Sequence, residues 1–412
     1  MESVRTRQIV ALRSMINLNE PVVNSGVKEP VWKILILDKA GQDIISPLLP
    51  VKQLRDLGVT LHLLLGSRRE PLTDVPAVYF VSPTDENVDL LSEDLKKAMY
   101  DSFFCNFISP ISRPRLESLA SAAVHGGALG QVQKVIDQYL NFISLEDDLF
   151  VLKRYNENGH FSYFSMNNPS TSDSAMNLML DQVADGLFAV CATMGIVPII
   201  RCAKGNAAEM VAKNSYDEMI NFLTQRNIEQ SALKFVQKLK SINELGSKTA
   251  PSSHIEEHQG AGTKTINMFG KLLSHSSKFV MEGVKNLVPK EHNLPLTKMV
   301  DSLICGAQNN IGGNINQMIG GSGNMVDLDE SFAFFDPKLM HQPTKESIVR
   351  SRQQPAQDVI LFVVGGGNYV EYQNLVDYGK RKNLKRVTYG CSELVNPAQF
   401  CEQLTRLGRS LE

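Results

Sequence analysis

The sequence predicts an α/β protein with two doubly wound parallel-sheet domains, the second discontinuous, and a truncated helical insertion. Three observations carry this. Short, continuously apolar runs alternate with helical patterns over residues 31–152, the same alternation resumes for only one or two strands before Lys213, and a β-α-β-α run closes the chain. Runs that are apolar at every position and separated by helices belong to strands buried on both faces and joined by right-handed crossovers. One or two strands cannot make a finished sheet, so the closing run is expected to complete the sheet begun before Lys213.

Taken in order, Ile9, Leu12, Met15 and Ile16 fall at helical spacing with Arg5, Arg7 and Arg13 interleaved. This reads as a leading amphipathic helix packed on the first domain rather than a transit peptide. Trp32–Leu37 (WKILIL) is a buried-strand run, Pro50–Leu57 a short helix stopped by Gly58, Val59–Leu65 the second strand and Ala77–Val81 the third. Glu86–Tyr100 is helical and Phe103–Ile108 a fourth strand. Two helical segments are expected next, Arg113–His125 and Gln131–Ile143, parted by Gly126, Gly127 and Gly130. Leu149–Leu152 opens a second α/β pattern, followed by a helix over Ala175–Met194 and a strand over Ile196–Arg201. Asn214–Leu245, Met268–Val288 and Leu296–Cys305 have helical periodicity, whereas Gly246–Gly262 and Gly306–Asp329 have loop and low-complexity composition. Val359–Val364 is a strongly apolar strand, Tyr369–Tyr378 a helix, Arg386–Tyr389 a strand and Pro397–Leu407 the closing helix. The expected domains are therefore 1–145, then 146–213 joined with 331–412, with 214–330 as the helical insertion.

Composition excludes several function classes. The 412 residues carry 42 Lys plus Arg against 44 Asp plus Glu, a net charge of −2, so there is no basic footprint for nucleic acid. The longest apolar stretch, Gly186–Ile200, falls short of the ~18–20 residues of a spanning helix, so no membrane insertion is expected. Six scattered cysteines without a C-x-x-C pair read as reduced, mostly buried thiols of a cytosolic protein.

Enzyme signatures are thin. In VILFVVGGGNYVEYQ, Gly365 and Gly367 fit a dinucleotide fingerprint, but Val370 stands at the third glycine position, so a tight βα turn is the expectation. Gly260–Thr265 (GAGTKT) lacks the Gly-Lys-Ser/Thr order of a phosphate loop. His254 and His258 are four apart in a Ser- and Pro-rich loop context without the glutamate of a zinc helix. No catalytic residues, metal site or cofactor are expected. More information lies in Pro114–Val135: Leu116, Leu119, Ala120 and Ala123 form one apolar stripe at i, i+3, i+4 and i+7, with Val132 and Val135 at i and i+3 on the next segment. By itself the stripe reads as core packing on the first sheet, the alternative being a notch of small side chains that takes a partner's apolar anchor.

Long strings of the chain resemble the SM (Sec/Munc) family of SNARE-assembly regulators, in its Sly branch. They are WKILILDKAGQDIISPLLPVKQLRDLGVTLHLLL, VYFVSPTDENVDLL, YFSMNNPS, FVMEGVKNLV, and VILFVVGGGNYVEYQNLVDY followed by YGCSELVNPAQF. The resemblance implies a non-enzymatic scaffold, cytoplasmic and peripheral on endoplasmic reticulum and Golgi membranes, that binds syntaxin-type SNAREs and promotes SNARE assembly in vesicle fusion. It places a syntaxin N-terminal peptide on Leu116, Leu119, Ala120, Val132 and Val135, which moves the docking reading ahead of core packing. It also implies a shortened form. Where the family has a long segment with a further central strand and most of a helical domain that grips the SNARE bundle, Ala212-Lys213 here runs directly into Asn214-Ser215. Two other readings are a nucleotide-binding α/β enzyme using the Gly365–Gly367 turn, and a decoy that binds syntaxin without promoting fusion.

Overall fold

The computed structural model describes residues 2–22, 30–154, 159, 161–225, 293–309, 331–339 and 356–410. The expectations for Gly246–Gly262, Gly260–Thr265, His254 and His258, Met268–Val288 and most of Gly306–Asp329 lie outside them. Residues 1–221 with 296–412 form one compact unit, and everything below concerns it.

The first sheet has the order β2-β1-β3-β4-β5, built from β1 (Lys33–Leu37), β2 (Val59–Leu64), β3 (Ala77–Val81), β4 (Phe103–Phe107) and β5 (Val132–Asp137). Every pairing in it is parallel. The helices between are α2 (Lys39–Ile45), α3 (Val51–Asp56), α4 (Asp85–Lys96) and α5 (Arg113–His125). β1, β3 and β4 are buried at every position, as continuous apolar runs require. β2 is not: it sits at the sheet edge with Leu61 and Leu64 exposed, and Trp32 lies outside the β1 core, 74% exposed. At the C-terminal ends of β1 and β3, where an open α/β sheet offers its ligand crevice, Asp38 fills the space. It caps α2 by accepting from Gly41 N at 2.7 Å, and it accepts from Ser82 N and Asn87 Nδ2, each at 2.9 Å.

The second sheet has the order β10-β11-β7-β6, with β6 (Ile143–Glu146), β7 (Leu149–Val151), β10 (Asp358–Val363) and β11 (Arg386–Cys391). β10 pairs parallel to β11 and β11 parallel to β7, so strands from the two ends of the chain share one sheet. β6 was not anticipated; it returns antiparallel on β7. β10, apolar at every position after Asp358, is an edge strand and only half-buried. The strand expected over Ile196–Arg201 is instead β8 (Ile200–Ala203), which pairs antiparallel with β9 (Phe332–Phe335) as a separate ribbon. Around these lie α1 (Val4–Ile16), α6 (Tyr163–Asn167), α7 (Asp173–Met194), α8 (207–225), α9 (Pro295–Asn309), α10 (Tyr369–Arg381) and α11 (Pro397–Ser410). α8 runs unbroken through the Lys213–Asn214 joint.

The leading helix packs against both sheets, not the first alone. Gln8 of α1 donates to Phe142 O at 2.7 Å and accepts from Ser144 N at 3.1 Å, and Arg5 donates to Leu145 O, so α1 is tied to β6 and the loop before it. Its Leu12, Met15 and Ile16 enter a core shared by Leu35, Val78 and Phe80 of the first sheet and by Phe150 and Val151 of the second. α7 also departs from expectation. It is long and apolar enough to cross a bilayer, yet it carries Asp181 and Asp185, and half of its most apolar window is buried in the protein. Its hydropathy serves packing.

Candidate docking groove

α5 begins at Ser112 with Pro114 in its first turn, where a missing N–H costs nothing, and ends at Gly126 and Gly127. Gly126 is required by a close approach, since a Cβ there would strike Leu95 O and the Lys96 backbone at the end of α4. Gly127 turns the chain with φ of +67°. Arg115 Nε meets Asp85 Oδ1 at 2.6 Å, tying α5 to the start of α4 and holding the Asp85 carboxyl below its ordinary range.

The segment expected as a second helix, Gln131–Ile143, is a strand followed by a loop and the start of β6. Val132 pairs with Phe103, but Lys134 pairs with Phe104 and Val135 with Cys105, so Gln133 is an extra residue in the ladder. This bulge explains the misleading period. Side chains of a strand alternate, and one inserted residue brings positions three apart onto the same face. Val132 and Val135 therefore share the face of Phe103 and Cys105, which is the face covered by Leu119, Ala122 and Ala123 of α5. The far end of β5 is fastened by Asp137, whose Oδ1 accepts from Ile111 N at 3.1 Å and whose carboxyl burial pushes upward.

The five candidate residues thus fall on two adjoining elements but differ in exposure. Leu119 is 5% exposed and belongs to the core with Leu91, Leu95 and Phe103. Val132 is half-buried against the same core. Leu116 is 40% exposed, Val135 41%, and Ala120 is exposed. Exposed Val124 and Leu129 continue the apolar surface along α5 and the turn after it. The core-packing reading holds for Leu119, whereas Leu116, Ala120 and Val135 are exposed. Val124, four residues after Ala120 and eight after Leu116, extends that face one turn past Ala123, where the stripe was ended, whereas Leu129 lies beyond the helix and outside its period.

The glycine turn spends most of its backbone donors inside the protein. Gly365 N donates to Ser392 Oγ at 3.1 Å, Gly367 N to Glu393 O at 2.9 Å and Asn368 N to Tyr389 Oη at 3.2 Å, so donors that would cradle an anion are already used. Tyr389 Oη in turn donates to Glu371 Oε2 at 2.7 Å. Gly365, with φ of +112°, supplies the turn, and Gly367 admits Tyr389 Oη and Cys391 where a side chain would sit. Among the described residues there is no cluster of three or more His, Cys, Asp or Glu suited to a metal. Cys105, Cys191, Cys202 and Cys391 are buried free thiols, and burial pushes Cys105 and Cys191 up to about 12. Such thiols are not nucleophiles at neutral pH.

Two α/β sheets, the second built from both ends of the chain, with apolar side chains exposed on α5 and β5 and a glycine turn closed on itself, describe a layered α/β scaffold. A Sec1 family profile matches residues 33–233 and again 218–403. "Sec1 family domain-containing protein 1" of Homo sapiens is 31% identical over 648 aligned positions, covering 99% of this chain and 98% of the relative. "Protein SLY1" of Saccharomyces cerevisiae is 38% identical over 236 residues, 55% of this chain and 35% of the relative. The crystal structure of Sly1p in complex with an N-terminal peptide of Sed5p superimposes with a TM-score of 0.73 at 22% identity, covering all of both chains, and shows the shared fold. The SM protein Vps45 in complex with the Qa SNARE Tlg2 gives 0.57 at 12% identity, covering 99% of this chain and 98% of that one. The chain belongs to the Sec1 family, in its Sly branch. Against the human relative, 648 aligned positions and 412 residues leave at least 236 positions that this chain does not fill.

Proposed function

We propose that the chain is an SM-type, non-enzymatic scaffold that binds the N-terminal peptide of an endoplasmic reticulum or Golgi syntaxin and promotes SNARE assembly in vesicle fusion. It would act as a cytoplasmic protein held peripherally at those membranes. The observation that carries the reading is the exposed apolar surface of Leu116, Ala120 and Val135, beside half-buried Val132 and buried Leu119, on a chain of the Sly branch. A relative of the same fold is crystallised with an N-terminal peptide of Sed5p. An apolar anchor seated between a helix and an edge strand loses water on both sides, and such an anchor contributes about 2 kcal/mol or more. The region 1–145 would carry this docking, 146–213 with 331–412 the second sheet, and 214–330 what remains of the helical insertion.

The test is binding of the purified chain to a syntaxin cytosolic region with and without its N-terminal peptide. Loss of binding on removing the peptide supports the reading; equal binding overturns it. A second reading is favoured by the unfilled positions of the alignment: the chain occupies syntaxin peptides as a competitor without promoting fusion. A liposome fusion assay separates the two, since added chain accelerates fusion in the first case and slows it in the second.

A further inference from the structure

The seat of α8 on α7 brings four carboxylates together. α8 seats Val211, Ala212, Ser215 and Met219 inward, all buried, and Asn214 Nδ2 donates to Asp181 Oδ1 of α7 at 2.8 Å. Beside that contact one groove is lined by Asp181 and Asp185 of α7 together with Asp217 and Glu218 of α8. The other titratable groups facing Glu218 are the Cys191 thiol of α7 and the Tyr139 phenol before β6, both neutral at physiological pH. Among the described residues no Lys, Arg or His lines the groove; Asp181, Asp185 and Asp217 are exposed along it, Glu218 is half-buried, and Lys213 on α8 is exposed. The seat is weak for a second, independent reason: the Ser215 hydroxyl is buried with no hydrogen-bond partner, a cost that apolar contacts must offset.

We infer that residues 207–221 form a proton-sensitive latch on α7, in which protonation of Glu218 tightens the seat of the helix and ionisation loosens it. Burial, with Asp185 opposite, raises the Glu218 carboxyl to about 8, far above the value it has when the helix is released. A group with a raised native pKa binds its proton more tightly in the docked state, so docking is favoured at low pH and weakens as pH climbs from about 4.5 to 8. Asp185, itself raised by burial and by Asp181, adds to the same trend. Packing of α8 on α7 brings one acidic helix face against another, and a proton is what neutralises the contact.

Hydrogen exchange of residues 207–221 in the full chain, corrected for intrinsic rate, tests this, with β3 and β4 as the internal reference. The docking constant is expected to fall more than about tenfold between pH 5.5 and 7.5. Glu218→Gln should remove most of that dependence while keeping protection high, and Asp185→Asn should reduce it. A wild-type protection that is flat over this range, or a Glu218→Gln chain that loses protection in parallel with wild type, overturns the latch. Carboxyl NMR titration of Glu218 in the unmodified chain is the check that needs no variant: an ordinary carboxylate midpoint overturns the proposal, and one above pH 6.5 supports it.

Discussion

Leu116 and Leu119 lie three residues apart on one helix, and the structure gives them opposite surroundings. Leu119, 5% exposed, sits in the core formed with Leu91, Leu95 and Phe103. Leu119→Ala deletes three buried carbons and leaves a cavity under α5, a change that costs about 2–5 kcal/mol depending on how far the site collapses. Leu116 is 40% exposed, so Leu116→Ala removes little buried area and should shift stability by less than about 1 kcal/mol. If the groove docks a peptide, the affinities invert the order. Leu116→Lys places a charge on the apolar surface and should weaken binding of a labelled Sed5p N-terminal peptide about tenfold or more, with an unchanged denaturation midpoint. The assays are urea denaturation followed by intrinsic fluorescence, and peptide anisotropy under conditions where each variant is folded. An unchanged midpoint for Leu119→Ala would refute the core assignment. Unchanged peptide affinity for both Leu116→Lys and Val135→Lys would sink the groove as the docking site, since both side chains face outward from its two walls.

Other expectations follow from buried polar groups. Arg69 and Asp94 form a buried pair, Nη1 to Oδ2 at 2.6 Å, with Tyr79 Oη donating to Asp94 Oδ2 at 2.9 Å; Arg69→Met alone should cost about 3–5 kcal/mol in chemical denaturation, because it strands a buried carboxylate. Lys33 is buried at the start of β1 with its Nζ donating to Leu57 O at 2.7 Å, and burial lowers its pKa to about 8. Its native pKa lies below the unfolded value of 10.5, so the unfolded chain binds more protons between them. Stability should therefore rise with pH from about 8 to 10.5, and Lys33→Met should flatten that rise in urea midpoints measured across the range. Gly367→Ala would drive a methyl group against Tyr389 Oη and Cys391, and its melting temperature should fall by several degrees. Millimolar nucleotide should leave the wild-type melting temperature unmoved, and a clear rise would revive the enzyme reading.

The strands that the sequence determined are those whose signal is local. WKILIL, AVYFV and FFCNF have apolar runs too short for helices and bounded by turns, and β1, β3 and β4 lie where those runs are. α5 and α7 were legible for the same reason, since amphipathic periodicity and capping residues act within the segment itself. The apolar stripe of α5 could also be read directly, though not which of its leucines faces water.

What the tertiary structure decided depends on neighbours far along the chain. Gln131–Ile143 has a helix-like period, yet β4 offers an unpaired parallel edge, and pairing with it satisfies the backbone of β5 while the bulge at Gln133 absorbs the misfit. The same bulge turns Val132 and Val135 toward α5, so two residues chosen on a mistaken helix still share a face with it. β10 is strongly apolar in sequence and yet stands at an edge, because a strand's place in a sheet is set by which partners the chain supplies. The acidic contact between α7 and α8 is of the same kind. Each helix is an ordinary amphipathic segment alone, and only their apposition makes a carboxylate compete for a proton.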